Sequence, residues 1–464
     1  MTDTIIRPDF GASAEPKYIV LIQSMRTAIR SGKLASGSRL PPVREMAYQL
    51  GITPGTVARA YKLATEEGLV ETTVGRGTYV TGGLVTRAAP DEPLVNAPRE
   101  GQLDFRAARV PEAGQSAMIR AILGQMSRVE TTPYIDYPTH LSDLPARRAV
   151  LDWIGPDRVG DLEADDIVLG LGAQNAVMVA LQTILHGPSP VILTETLCYP
   201  GVRHAARLLR AQVIGVEIDG EGIIPKALEE ALQRHGGQVL LTSAHSHSPT
   251  TARMGVARKE EIAEIARRYQ IQIIEDDCHC INRPETPTFR SLCPERGWYI
   301  SSLTKTVSAA LRFGYIACPR EQAAAARQVA QSSFYGLPQP VLDLCTHMIV
   351  SGKAEAIRAE VEEFIAKRVA LVVAILSDWD VTSRSDIPFV WLKLPQGWRG
   401  STFARACEAE GIRIKPADEF ALPDGHAPHA VRLTVSAIAD DDVFEAALQQ
   451  IGALLSNPPL NVDF

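Results

Sequence analysis

The sequence contains no run of about 18 apolar residues, so no stretch of it is expected to span a bilayer as a helix. Its start, Met1 to Phe10, mixes charges with a proline where a secretory signal would place an apolar core, and the chain is expected to be cytoplasmic, with no membrane partner. Cysteine is sparse. The seven residues, at 198, 278, 280, 293, 318, 345 and 407, are odd in number and scattered, which excludes a disulfide framework and fits a reducing compartment. Cys278-His279-Cys280 lacks a second cysteine pair elsewhere, so no closed metal site is expected. Internal repeats and low-complexity segments are absent as well.

Length and a charge asymmetry are what the chain does offer. Its 464 residues exceed the size at which a single core keeps growing, and 45% hydrophobic with 22% charged residues is ordinary for a soluble globular protein. The net charge of -7 is uneven: residues 1 to 87 hold eleven Lys/Arg against seven Asp/Glu, a net of +4, leaving -11 for the rest. A basic leading module on an acidic body is compatible with nucleic-acid binding.

Ile19, Ile22, Met25, Ala28 and Ile29 recur at helical spacing before Gly32. A second helix is expected after Leu40-Pro41-Pro42, ending at Gly51, and a third from Pro54 through Val57, Ala60, Tyr61 and Ala64 to near Gly68. Two short helices joined by a turn of three to four residues form a helix-turn-helix, whose second helix enters the major groove. Two β-prone arms around Gly75-Arg76-Gly77 follow, as a hairpin wing. Helix spacing alone fits a small protein-binding domain equally well.

Four segments decide between them: Pro41-Pro42-Val43-Arg44-Glu45-Met46-Ala47, Gly51 to Tyr61, Glu67-Gly68-Leu69-Val70 and Gly75 to Val80. In this order and spacing they resemble the winged helix of the GntR family of bacterial transcription regulators. The resemblance implies Arg44, Thr53, Thr56, Arg59 and Arg76 as contacts to double-stranded DNA, with Thr53 capping the recognition helix.

Residues 82 to 103 concentrate Pro, Gly and charge without periodicity, as a linker does. The expected division is a winged helix-turn-helix domain over 1–82, a linker over 83–103 and an α/β body over 104–464, with a smaller α+β subdomain from roughly 345 onward. Strands are expected at 167–169, 190–194, 212–217, 239–242, 271–275, 297–301 and 313–317, with helices between most of them, giving a mostly parallel sheet.

An aldehyde cofactor with a phosphate tail needs an amine, an anion cradle, a carboxylate facing the ring nitrogen and an aromatic face. Each has a candidate at a strand end, where open α/β sheets bind ligands. Lys305, set among Ser301, Ser302, Thr304 and Thr306, is the amine. The turn containing Gly172, Ala173 and Gln174 can offer backbone N–H groups at a helix N-terminus, with Ser302, Thr304 and Arg312 completing the cradle. Asp276 ends an apolar strand, and Tyr199 follows another.

Taken whole, the body resembles the fold-type I aminotransferases that use pyridoxal 5'-phosphate, and its fusion to a winged helix resembles the MocR branch of GntR-family regulators. The resemblance implies a Schiff base at Lys305, Asp276 on the ring nitrogen, Tyr199 stacking and Arg432 as a bidentate fork for a ligand carboxylate. Three positions depart from the pattern. Cys278 stands where a tyrosine usually meets the ring hydroxyl, His245-Ser246-His247-Ser248-Pro249 replaces His-Gln-x-Pro, and Tyr134 to His140 lacks the usual glycine. His247 is the candidate to replace the lost ring-hydroxyl contact. The implied function is a regulator that senses an amino compound, an amino acid or a relative of one, by transaldimination at Lys305, and that binds DNA as a head-to-tail homodimer. The alternative is an active aminotransferase carrying an appended winged helix.

Overall fold

A computed structural model describes residues 8, 10, 16–30, 33–34, 38–66, 69–73, 77–80, 101–128, 134–282, 286–422 and 427–458. The chain separates into two compact units, Met1–Asn96 and Ala97–Phe464. Most of the expected linker, residues 83–100, lies outside the described residues, as does the expected wing tip with Arg76.

The first unit holds α1 (Lys17–Arg30), α2 (Val43–Leu50) and α3 (Pro54–Glu66), then an antiparallel pair, β1 (Val70–Thr73) and β2 (Gly77–Val80). The apolar stripe of α1, with Ile22, Met25 and Ile29, packs against Met46 and Ala47 of α2 and Val57, Ala60 and Ala64 of α3. α2 begins just after Pro42, whose missing N–H costs nothing ahead of a first turn, and closes at Gly51 with φ +63. Tyr61 of α3 donates its hydroxyl to Pro41 O at 2.8 Å, which fixes α3 against the turn leading into α2.

The second unit is organised around a seven-stranded sheet. In chain order it contributes β3 (Ile167–Leu171), α4 (Ala173–Ile184), β4 (Val191–Glu195), α5 (Pro200–Leu208), β5 (Gln212–Val216), β6 (Val239–Thr242), α6 (Val256–Tyr269), β7 (Gln272–Asp276), β8 (Gly297–Ser302) and β9 (Phe313–Ala317). Across the sheet the order is β3-β9-β8-β7-β6-β4-β5, with β9 antiparallel to both of its neighbours and the other pairs parallel. All seven expected strands are present, each within two residues of its expected bounds. Central strands bury both faces: Ile192, Val239, Leu241 and Ile274 enter one core, while Leu193, Leu240 and Ile273 enter another. That two-sided burial is why they read as continuous apolar runs.

A four-stranded antiparallel sheet builds the smaller part: β10 (Val381–Thr382), β11 (Phe389–Lys393), β12 (Lys415–Pro416) and β13 (Ala430–Thr434), in the order β10-β11-β13-β12. The helix Lys353–Ile375 buries Val361, Ile365, Val369 and Val372 in the core that also takes Val431 and Leu433 of β13. Leu103 and Asp104 pair in parallel with Ile412 and Arg413, so the first described residues of this unit are stitched to its later part. No helix among the described residues is long and apolar enough to cross a membrane.

Candidate functional site

In the first unit, Thr53 caps α3. Its hydroxyl accepts from the Thr56 N–H at 3.3 Å and lies 2.8 Å from the Thr56 hydroxyl, meeting one of the unpaired donors of the first turn. Arg44, Thr53 and Arg59 are exposed and Thr56 is half-buried. The Arg59 guanidinium stands 4.2 Å from the ring centre of Tyr18 on α1, which orients it by a cation–π contact. Arg39, not among the expected contacts, bridges to Tyr79 of β2 and lays its guanidinium against the turn end of the hairpin at Gly77. A Cβ built on Gly77, at φ +113, would sit 2.8 Å from Arg39 Nε, so this cation fits because residue 77 is glycine.

In the second unit, the carboxyl ends of β3, β7 and β8 and the start of β9 meet. Register pairs Gly314 with Gly170 and Ser302 with Gly314, which brings the Ser302–Arg312 loop beside the turn into α4. Gly172, at φ +82, is the N-cap of α4, and its N–H turns back to Gly170 O. The amides left to face an anion by helix geometry are therefore those of Ala173 and Gln174. Arg312 donates to Leu171 O at 2.8 Å and lies so close that a Cβ on Gly172 would meet its Nη2 at 2.7 Å. Ser302 Oγ accepts from the Thr304 N–H at 3.3 Å, and Thr304 Oγ1 is buried without a hydrogen-bond partner among the described residues.

A Cβ on Gly314 would lie 2.5 Å from the carbonyl carbon of Gly172, a backbone atom with no room to give. Gly314→Ala is expected to cost about 1–3 kcal/mol of stability through forced backbone shifts. It should also weaken phosphate binding at the same turn, read by thermal unfolding and a cofactor titration.

Lys305 is half-buried, with Nζ donating to Ala108 O. Burial lowers its pKa, the Cys278 thiol opposes that, and Arg432, Arg312 and Arg109 add to it. Asp276 accepts from the Cys278 N–H at 3.2 Å, and burial raises its carboxyl to about 6. Tyr199 is the N-cap of α5, and burial raises its hydroxyl while Cys278, Asp276, Arg432 and Arg312 act on it through their charges. A Cβ on Gly201 would come within 2.2 Å of the Tyr199 ring and of Gln174 Oε1, so that glycine lets the ring and the amide lie together. Lys305, Asp276, Cys278, Tyr199, Arg312 and Arg432 thus share one site.

This donor set fits an aldehyde cofactor with a phosphate tail. Two helix amides, an orphaned threonine hydroxyl and a guanidinium suit a dianion, the Asp276 carboxyl suits a ring N–H, and Lys305 offers an amine whose pKa burial lowers.

Arg432 on β13 is buried. It donates to Ser248 Oγ at 2.9 Å and to Arg106 O at 2.7 Å, and burial lowers its pKa to about 10. His247 is brought close but is engaged elsewhere: Nε2 lies 2.9 Å from Leu197 O and Nδ1 lies 2.6 Å from Thr250 Oγ1. In this arrangement it has no N–H left for a ring hydroxyl. Sequence reasoning missed His279, whose ring packs edge-on to Phe389 at 5.3 Å and whose pKa is lowered first by burial and then by Lys305 and Arg432. It also assigned nothing to Asp277, which is buried against Arg158 and accepts from the Tyr299 hydroxyl at 3.2 Å. A buried acid beside a site acid is the signal that could have marked it.

Both units have relatives among known proteins. Residues 100–451 match the family described as aminotransferase class I and II, and residues 17–80 match the bacterial regulatory proteins of the gntR family. The uncharacterized HTH-type transcriptional regulator YdeF of Bacillus subtilis is 26% identical over 97% of this chain and 97% of its own. The vitamin B6 salvage pathway transcriptional repressor PtsJ of Salmonella typhimurium is 24% identical over 91% of this chain and 95% of its own. Among solved structures, an archaeal alanine:glyoxylate aminotransferase is similar in fold, with a TM-score of 0.69 at 21% identity, over 76% of this chain and 91% of that one.

Proposed function

Because the chain belongs to the aminotransferase class I and II family over residues 100–451 and carries a gntR-family helix-turn-helix module ahead of it, the domain pair of MocR-type regulators, we propose that it is a pyridoxal 5'-phosphate-dependent transcription regulator that senses an amino compound and controls genes for its metabolism. The observation that carries the sensor reading over the enzyme reading is the surroundings of Lys305. A half-buried Cys278 thiol stands where the resemblance puts a phenol, and the neighbouring His247 has both ring nitrogens spent on Leu197 and Thr250.

Pyridoxal 5'-phosphate, when bound, supplies an aldehyde carbon that can exchange one amine for another. Ala173, Gln174, Ser302, Thr304 and Arg312 would hold its phosphate, Asp276 would hold the proton on its ring nitrogen, and Tyr199 would cover its face. Lys305, whose pKa burial lowers, would be the amine that meets this carbon, and Arg432 would receive the carboxylate of an amine ligand. Ligand engagement at Lys305 and Arg432 would alter closure of the smaller subdomain, and the linker would carry this to the DNA-binding module. Only a ligand with different affinities for the two arrangements shifts their populations. Binding to paired half-sites calls for a dimer, for which the exposed apolar residues Ile135, Tyr137 and Leu141 lend support.

The test is fluorescence anisotropy with full-length protein and a DNA fragment from upstream of its own gene, with and without the cofactor, across a panel of amines. At least one amine should shift the apparent Kd in the presence of cofactor and not in its absence, with no more than one equivalent of keto acid per protomer. Sustained turnover without a shift in DNA affinity would establish the aminotransferase instead. In the same assay Arg44→Ala and Arg59→Ala should each weaken DNA binding about tenfold and reduce its salt dependence, leaving cofactor binding unchanged.

A further inference from the structure

A cluster of charged side chains with no part in the reading above joins the two larger sheets of the second unit. His245 belongs to the segment between β6 and α6, while Arg384 and Asp386 belong to the link between β10 and β11. Two guanidinium groups reach the same imidazole nitrogen: Arg253 Nη2 lies 3.0 Å and Arg384 Nη2 3.3 Å from His245 Nε2. Arg384 also donates to His245 O and, from Nε at 3.0 Å, to Asp386 Oδ1. On the other side of the ring, Thr286 Oγ1 lies 3.4 Å from Nδ1.

These partners fix the protonation of the ring. Arginine offers only donors, so Nε2 must accept, and the one ring hydrogen is left on Nδ1 for the Thr286 hydroxyl. A second proton, on Nε2, would face two guanidinium groups. The acceptor on that side, Asp386 Oδ2, stands 3.7 Å off and is already engaged by Arg384 and, at 3.7 Å, by Arg253. The His245 side chain is 1% exposed, but that of Arg253 is 42% exposed and opens the cluster to water. The same segment is strained: Thr251, β-branched and buried, sits at φ +65 with its hydroxyl unpartnered among the described residues. Such a backbone persists only where its surroundings hold it. The link from His245 to Arg384 is one hold, and Arg432 donating to Ser248 Oγ at 2.9 Å is another.

We propose that this cluster is an acid-released latch, in which neutral His245 fastens residues 243–255 to the smaller sheet and a proton on its Nε2 parts them. It goes beyond the sensor reading and does not depend on it. Burial first, then Arg253 and Arg158, lower the His245 pKa against the opposing pull of Asp386 and Asp277. The latch is therefore closed above about 6.5, the pKa of a free imidazole, and is lost as pH falls through the lower value of the closed form. Asp386 is held down at about 2 and the arginines keep their protons, so neither takes part in that step.

Hydrogen–deuterium exchange of the full-length protein tests it, at about pH 7.5 and about pH 5.5, with each rate divided by that of the unfolded chain at the same pH. In the wild-type protein the amides of residues 244–254 and 383–388 should lose about three- to tenfold of their protection at the lower pH. Tenfold is about the ceiling for one group with the ordinary imidazole pKa over that range. His245→Gln keeps an acceptor for the arginines and cannot titrate, so both segments should stay protected at both pH values. His245→Phe should be open at both. If it does not fold, Arg384→Met decides, since it should open the same segments already at about pH 7.5. His247 stays in every variant, so a pH step of equal size in His245→Gln would move the effect to another group and overturn the latch. Wild-type protection that does not change with pH, or an Arg384→Met protein as protected as the wild type, would overturn it as well.

Discussion

Lys305→Ala is expected to abolish covalent capture of the cofactor. When the full-length protein is treated with pyridoxal 5'-phosphate and then borohydride, the peptide containing residue 305 should gain the reduced cofactor's mass in the wild-type protein and not in the variant. The same variant should bind DNA with an affinity that no amine alters. Folding should survive, because the side chain's hydrogen bond goes to one carbonyl, Ala108 O, and a single such bond contributes about 1 kcal/mol. The capture rate carries a further signature. Burial lowers the Lys305 pKa, so the neutral, reactive amine is reached at lower pH than in a free lysine. The rate should rise with pH and level off short of about 10.4, where free lysine is still gaining. Equal labelling of wild-type and variant protein at this peptide would remove Lys305 from its role.

The second large effect is on stability and lies outside the site. Lys259 of α6 donates to Glu275 Oε1 at 2.7 Å and to Pro287 O at 3.0 Å, while Glu275 Oε2 accepts the Phe289 N–H at 2.7 Å. Both side chains are essentially inaccessible, at 1% and 0% exposure. A buried pair of this kind is weak evidence of net stabilisation, but removing one partner strands the other charge in a poorly polarisable interior. Lys259→Met should therefore destabilise the second unit by about 3–5 kcal/mol, whereas Lys259→Met combined with Glu275→Leu should recover much of the loss. Urea unfolding followed by tryptophan fluorescence measures both, and a single-variant loss no larger than the about 0.5 kcal/mol of an ordinary surface change would refute the argument. Glu275 directly precedes Asp276 at the end of β7, so the single variant should also loosen cofactor binding.

These two examples mark what could be read from the chain alone. The seven strands of the large sheet were legible because each is a short apolar run bounded by turn residues, and strand ends then pointed to Asp276 and Lys305. The capping of α3 by Thr53 was legible because it is a local pattern of three residues. The Lys259–Glu275 pair, the Arg158–Asp277 pair and the Arg106–Glu419 contact were not, since their partners lie 16, 119 and 313 residues apart and nothing in local periodicity relates them. His247 shows the limit from the other side. Its position beside the site was legible, but the hydrogen bonds to Leu197 and Thr250 that occupy both nitrogens depend on how the loop folds back.

The reversal of β9 has one more consequence. Because β8 and β9 run antiparallel and are paired from Tyr299 with Ala317 to Ser302 with Gly314, Lys305 sits on a short connection stapled at both ends. On the proposed sensing role, a lysine displaced by an incoming amine would stay tethered at the site as an internal rival, at an effective concentration in the mM range or above. A free amine would win that contest only when it is abundant or when its other groups gain enough elsewhere in the site. The hairpin would thereby set a threshold for the response and favour return to the resting state once the amine falls.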